Sequence, residues 1–142
     1  IDMSASLMGE PQHHAPRRFW QWNGYSPISA TNAAVREGSW KLVRPALDIS
    51  YATDADQTLA DRYIEKDIEY KYHPQNFSQV FDWPEPEQIV PKPPEPELYD
   101  IDNDPLEQRD LADQNPDIAL RLLRNLETWF EEVESERQSL VE

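Results

Sequence analysis

The chain contains no cysteine, which excludes disulfides, thiol nucleophiles and cysteine-based zinc sites. Its three glycines are too few for a glycine-rich phosphate loop. No apolar run approaches the roughly 20 residues of a membrane-spanning helix. Cations are scarce: Lys and Arg total 13 against 28 Asp and Glu, a formal charge of −15. A surface of that sign repels nucleic acid and anionic membranes, so neither is expected as a partner. An anionic substrate would need a local basic site to overcome the same field.

What is present points to a packed interior. Five Trp, six Tyr and four Phe accompany a hydrophobic fraction of 38%, low for a self-sufficient core but above the range of disorder. The length of 142 residues suits one domain. No signal peptide is read. The opening Ile1-Asp2-Met3-Ser4 reads as the interior of a longer protein, so a fragment or processed chain is expected.

Residues 1–16 read as an irregular lead-in, broken by Gly9 and Pro11. Arg18 to Trp22 reads as a strand, with Trp20 and Trp22 on one face and Phe19 and Gln21 on the other. Residues 31–36 and 39–45 form an expected hairpin around Glu37-Gly38, where glycine supplies the positive φ of a tight turn. Trp40 and Leu42 then point one way, Lys41 and Val43 the other. Residues 53–72 read as a helix capped by Asp54, from the spacing of Leu59, Tyr63, Ile64, Ile68 and Tyr72. Six prolines between residues 84 and 96 predict an extended, polyproline-like arm.

Leu98 and Tyr99 suit a strand returning beside the hairpin. After it, Asp104, Pro105 and Glu107 have the spacing of a cap, a first helical residue and a capping-box partner. The final helix is the clearest element. Asn115 caps it, Pro116 opens it, and Ile118, Leu122, Leu126, Trp129, Phe130 and Val133 form one stripe. The residues themselves therefore predict an α+β fold: a small antiparallel sheet packed against one long C-terminal helix. The aromatics exceed what one helix can cover. The sheet face away from it is expected to carry apolar residues, and the isolated chain to self-associate.

Candidate chemical motifs are few. Asp100, Asp102 and Asp104 have the D-x-D-x-D spacing of a calcium loop, but Pro105 and Leu111 occupy the positions that need glycine and a bidentate glutamate. A solvated turn and cap is the better reading. His13 and His14 are adjacent and point apart on any regular element, so they read as loop histidines. The P-x-x-P matches in the proline arm are flanked by Glu85, Glu87, Glu95 and Glu97, unlike the basic flanks of peptide ligands, and read as a spacer. Asn76-Phe77-Ser78 fits the glycosylation triplet, a pattern that arises often by chance. Trp20, Trp22 and Trp40 are readable as sugar-stacking platforms or, more commonly for tryptophans on strands beside a helix, as core.

Two stretches carry a family resemblance. Pro96 to Ala112, with Glu97-Leu98-Tyr99-Asp100, Asp104-Pro105 and Leu111-Ala112, resembles the "ELYD…DP.E..NLA" run near the C-terminus of type I sulfatases, the arylsulfatase family. Ala33 to Val43 is similar to the "AVR.G.WKLV" hairpin that precedes it there, and the final helix bearing Trp129 is similar to theirs. These matches cover about half the chain. Asp110 departs from the asparagine usual in the family.

The resemblance implies residues 1–142 as a sulfatase C-terminal subdomain with a four-stranded antiparallel sheet, packed on a catalytic domain whose active-site mouth it borders. It implies sulfate-ester hydrolysis by that domain, with formylglycine as nucleophile and a calcium ion, and a periplasmic or secreted location. This chain holds no C-x-P-x-R or S-x-P-x-R motif, the source of formylglycine, so no catalytic or metal-binding residue is assigned in it. Residues 46–95 form a long insertion, ending in the arm 84–96, between the hairpin and the Leu98–Tyr99 strand. Long insertions on rigid sheets are where specificity loops sit. Lys71, Tyr72 and His73 are the expected substrate-proximal residues, Lys71 or His73 meeting an anionic group. The competing class is an acidic, non-catalytic assembly module with a proline-rich arm.

Overall fold

The computed structural model describes residue 8 and residues 17–22, 27–78 and 84–139. The lead-in 1–16, apart from Met8, lies outside the described residues, and with it His13 and His14.

Four antiparallel strands form one sheet. They are β1 (Arg17–Gln21), β2 (Ala33–Glu37), β3 (Trp40–Arg44) and β6 (Glu97–Asp100), in the order β1-β2-β3-β6. The expected hairpin is β2–β3. Gly38, at φ +62°, takes the first of two loop positions, where an L side chain would be strained. The predicted return strand pairs with β3, Leu98 opposite Leu42.

Helix α2 (Pro116–Ser139) lies across one sheet face. One cross-strand row on that face is Phe19, Val35, Leu42 and Leu98, in register. Leu122 and Leu126, one helical turn apart, close over it and are fully buried with Val35, Leu42 and Leu98. Burying each such side chain stabilises the fold by ~1.5–3 kcal/mol before entropy. Phe19 stacks on Trp129, ring centroids 5.1 Å apart, and so ties the edge strand β1 to α2. Val133, at the end of the expected stripe, is exposed where α2 runs past the sheet.

The insertion has its own small structure. Strands β4 (Ser50–Tyr51) and β5 (Gln88–Ile89) form a two-stranded ladder beside helix α1 (Asp54–Tyr72). The helix is where the sequence pattern predicts it, but its cap is not Asp54. The cap is Thr53, whose hydroxyl accepts from the Asp56 amide at 3.2 Å. The proline arm is not purely polyproline-like, since β5 interrupts it with a paired segment.

A second correction concerns the acidic turn. Asp104 Oδ2 accepts from the amides of Gln108 and Arg109 as a cap would, at 2.8 and 2.9 Å. No helix is built on it, because Glu107 adopts a left-handed φ of 55° that ends any helical run. Asn115 stands at the expected cap position of α2, its carbonyl accepting from Ile118 and Ala119, while its side-chain amide donates back to the Leu111 carbonyl.

Candidate functional site

The sheet face opposite α2 is open. Alternation along each strand places two cross-strand rows there. One is Trp20, Ala34, Val43 and Glu97; the next is Arg18, Arg36, Lys41 and Tyr99. Trp20 is 47% exposed, and Trp22, carried just past β1 by its amide bond to the Asn32 carbonyl, is 82% exposed. These two tryptophans are therefore not core; only Trp40 of the three packs against it.

Small Ala34 beside large Trp20 leaves a trough on each side of the indole. One hollow of ≈ 340 Å³ is bounded by Trp20, Trp22, Asn32, Val43 and Pro45. The other, ≈ 350 Å³, is bounded by Trp20, Arg36, Lys41, Ile101 and Glu107. Two cations of the second row have partners beside the sheet. Lys41 Nζ donates to Glu107 Oε1 at 2.6 Å, and Arg36 donates to the Gly38 carbonyl at 2.9 Å and reaches Asp102 at 3.5 Å. The positive φ at Glu107 is what turns its carboxylate toward Lys41.

Tyr99 forms the inner end of the cationic row. It is buried, and its hydroxyl donates to Glu97 at 2.7 Å. Burial first, and the Glu97 carboxylate second, push its pKa far above the ordinary phenol value.

Elsewhere the polar groups serve structure. Thr31, fully buried, donates to the Pro45 carbonyl and accepts from the Leu47 amide, both at 2.9 Å, and so fastens the two ends of the β2–β3 unit. Asp110 Oδ1 accepts from the amides of Leu98 and Ala112, both at 2.9 Å. A side-chain oxygen is all this position needs, so asparagine or aspartate serves there.

The expected substrate-proximal trio sits at the C-terminal end of α1. Lys71, Tyr72 and His73 are exposed. Lys71 Nζ is paired at 2.6 Å with Asp67 one turn back, whose hydrogen bond and charge raise the lysine pKa. The His73 amide ends the helix on the Glu69 carbonyl at 2.8 Å. These partners belong to the same helix, so the trio gathers as chain neighbours rather than by the fold.

The Asp100–Asp104 carboxylates are largely engaged within the turn, while Asp100 Oδ1 is buried with no hydrogen-bond partner among the described residues. Asp100 Oδ2 accepts from Asn103, Asp102 faces Arg36, and Asp104 Oδ2 is taken by two amides. Among the described residues no group of three or more His, Asp or Glu is placed to hold a metal ion. No described helix is long and apolar enough to cross a membrane. Comparison with known proteins finds no matching family model and no matching curated protein.

Sequence reasoning puts Trp20 and Trp22 on one face of their strand and Lys41 and Val43 on one face of theirs, but it does not join these faces, and it reads no site into Arg18, Arg36, Lys41, Ile101 or Glu107. A signal exists for the three cations, which occupy the alternate positions of β1, β2 and β3 on the Trp20 face.

Proposed function

We propose that the chain is the non-catalytic C-terminal subdomain of a sulfatase of the arylsulfatase type. It packs on the formylglycine-bearing catalytic domain through its open sheet face and borders the active-site mouth. One observation of placement carries the reading. The segments that resemble sulfatases, the β2–β3 hairpin, β6 and α2, come from separate parts of the chain yet are neighbours in one sheet-and-helix layer pair. The uncovered Trp20 and Trp22 supply the second support, since soluble folds seldom leave such aromatics bare without a partner.

In this reading the chain supplies position rather than chemistry. Formylglycine and calcium belong to the catalytic domain, where they attack and neutralise the sulfate. The α1 insertion stands on the rigid sheet as a rim, with Lys71, Tyr72 and His73 as its substrate-proximal end. Lys71 stays protonated and offers a cation to a sulfate group.

The test is an aryl sulfate assay with added calcium, together with the coding sequence upstream of Ile1. The chain alone is expected to give no turnover, and the upstream sequence to contain C/S-x-P-x-R. Turnover by the purified chain would overturn the non-catalytic assignment. Absence of the motif would instead favour the acidic assembly module with its proline-rich arm.

A further inference from the structure

Helix α1 is long but poorly enclosed: of its 19 residues only Ala60 is buried. Helices of this length owe most of their stability to packing an apolar face. The inner side of α1 meets β4 and the turn Pro74–Asn76, where Tyr70 and Lys66 contact Phe77. Its outer side carries Ile64, Ile68 and Tyr72, which are 55%, 51% and 76% exposed. Four-residue spacing makes these three one ridge, and it makes Asp61, Glu65 and Glu69 a second, acidic ridge beside it.

The open sheet face has the complementary pattern. An apolar row led by Trp20 lies next to the cationic row Arg18, Arg36 and Lys41, in which Arg36 and Lys41 also hold Asp102 and Glu107. Rows two residues apart on a strand are separated by roughly 7 Å. Adjacent ridges on a helix have a comparable separation, because side chains one turn apart lie about 5–6 Å from each other. Ile64, Ile68 and Tyr72 on the helix and Trp20 on the sheet, which lead the two surfaces, are all exposed.

We propose that α1 of one copy docks across the open sheet face of a second copy, apolar ridge on apolar row and carboxylates on cations. The contact is heterologous. Pairing either surface with itself would set like charges, or a charge and an apolar ridge, against one another. A head-to-tail contact leaves a free α1 and a free sheet face at the two ends, so assembly continues beyond the dimer unless a ring closes. A single helix on a four-stranded face is a small interface, so the contact is weak. A catalytic domain covering the sheet face would displace it.

Sedimentation velocity and equilibrium on the full chain test this, over about 5 to about 500 µM at 0.15 M salt, where the Debye length is ~8 Å and the charge of each copy is screened. The weight-average mass should climb with concentration past the dimer. Ile68→Lys spoils the α1 ridge and Trp20→Glu spoils the sheet face. Each variant alone should associate about tenfold or more weaker than the parent. Mixed in equal amounts, they retain one good α1 and one good sheet face between them, and should form a dimer that grows no further. A parent chain that stays monomeric, a variant that associates as well as the parent, or a mixture that stays monomeric would each overturn the proposal. Circular dichroism checks folding, with Tyr72→Lys and Arg18→Glu as replacements for a variant that fails it. The assay involves no sulfate ester, so its failure leaves the proposed function standing.

Discussion

Replacing Trp129 by alanine tests the tie between β1 and the rest of the fold. The indole lies parallel to Phe19, with 5.1 Å between ring centroids and 3° between planes. A tryptophan covers roughly 150–250 Å², and half-burial withdraws roughly 75–125 Å² of that. At ~25 cal/mol/Å² this is about 2–3 kcal/mol. The stack adds ~0.5–1.5 kcal/mol, and partial collapse around the vacated space returns some of the loss. The expected destabilisation is about 3 kcal/mol, a large share of the ~5–15 kcal/mol typical of a domain. Urea melts monitored by circular dichroism measure it. A double-mutant cycle with Phe19→Ala should give a coupling of ~0.5–1.5 kcal/mol. A loss under about 0.5 kcal/mol, the range of ordinary surface substitutions, would refute the reasoning. So would additivity within ~0.3 kcal/mol, because the two rings would then not be acting as a pair.

Single contacts carry the other predictions. Asp110→Ala strips the acceptor from the Leu98 amide and should cost ~1–3 kcal/mol, whereas Asp110→Asn keeps an acceptor oxygen and should cost under ~1 kcal/mol; equal denaturation midpoints for the two variants would contradict this. Gly38→Ala meets no atom within 4 Å, so its expected cost of ~1–2 kcal/mol is purely that of φ +62°, and Gly38→Asn should recover part of it in the same melts. For Tyr99 the folded pKa lies above the ordinary 10.0, so the proton is held more tightly when folded. Its contribution is full below pH ~10 and is lost as pH rises through the folded value. Urea midpoints between pH 8 and pH 11 should therefore fall less steeply in Tyr99→Phe than in the parent, and identical slopes would show that Tyr99 is not the group responsible.

Periodicity makes the main layer pair legible. Alternation separates Phe19 from Trp20 in Arg17–Gln21 and Leu42 from Lys41 in Trp40–Arg44, as found, and register then puts Phe19 and Leu42 on the same face. The 3.6-residue stripe of α2 names Leu122 and Leu126, both buried. Capping signals are less reliable, since they report hydrogen-bond demand and not the conformation of the next residues. Asp104 satisfies two amides either way, and only the backbone angle at Glu107 decides between helix and turn. The β4–β5 ladder is two residues long on each side, too short to show a period. The exposure of Trp20 and Trp22 is hidden from the sequence for a physical reason: alternation says which side a residue faces, not whether anything covers that side. Arg36 and Lys41 escape notice because each cation is ordinary along its own strand. Only register sets them side by side.

The central claim is that the open sheet face belongs on a catalytic domain that supplies the chemistry. Its most direct measurement mixes this chain with the separately expressed polypeptide encoded upstream of it, in calcium, and records aryl sulfate turnover. Turnover should depend on both chains and fall sharply when Trp20→Glu replaces the parent, because that indole occupies the centre of the proposed contact. Turnover by this chain alone, or full turnover with Trp20→Glu at limiting chain concentration, would contradict the account.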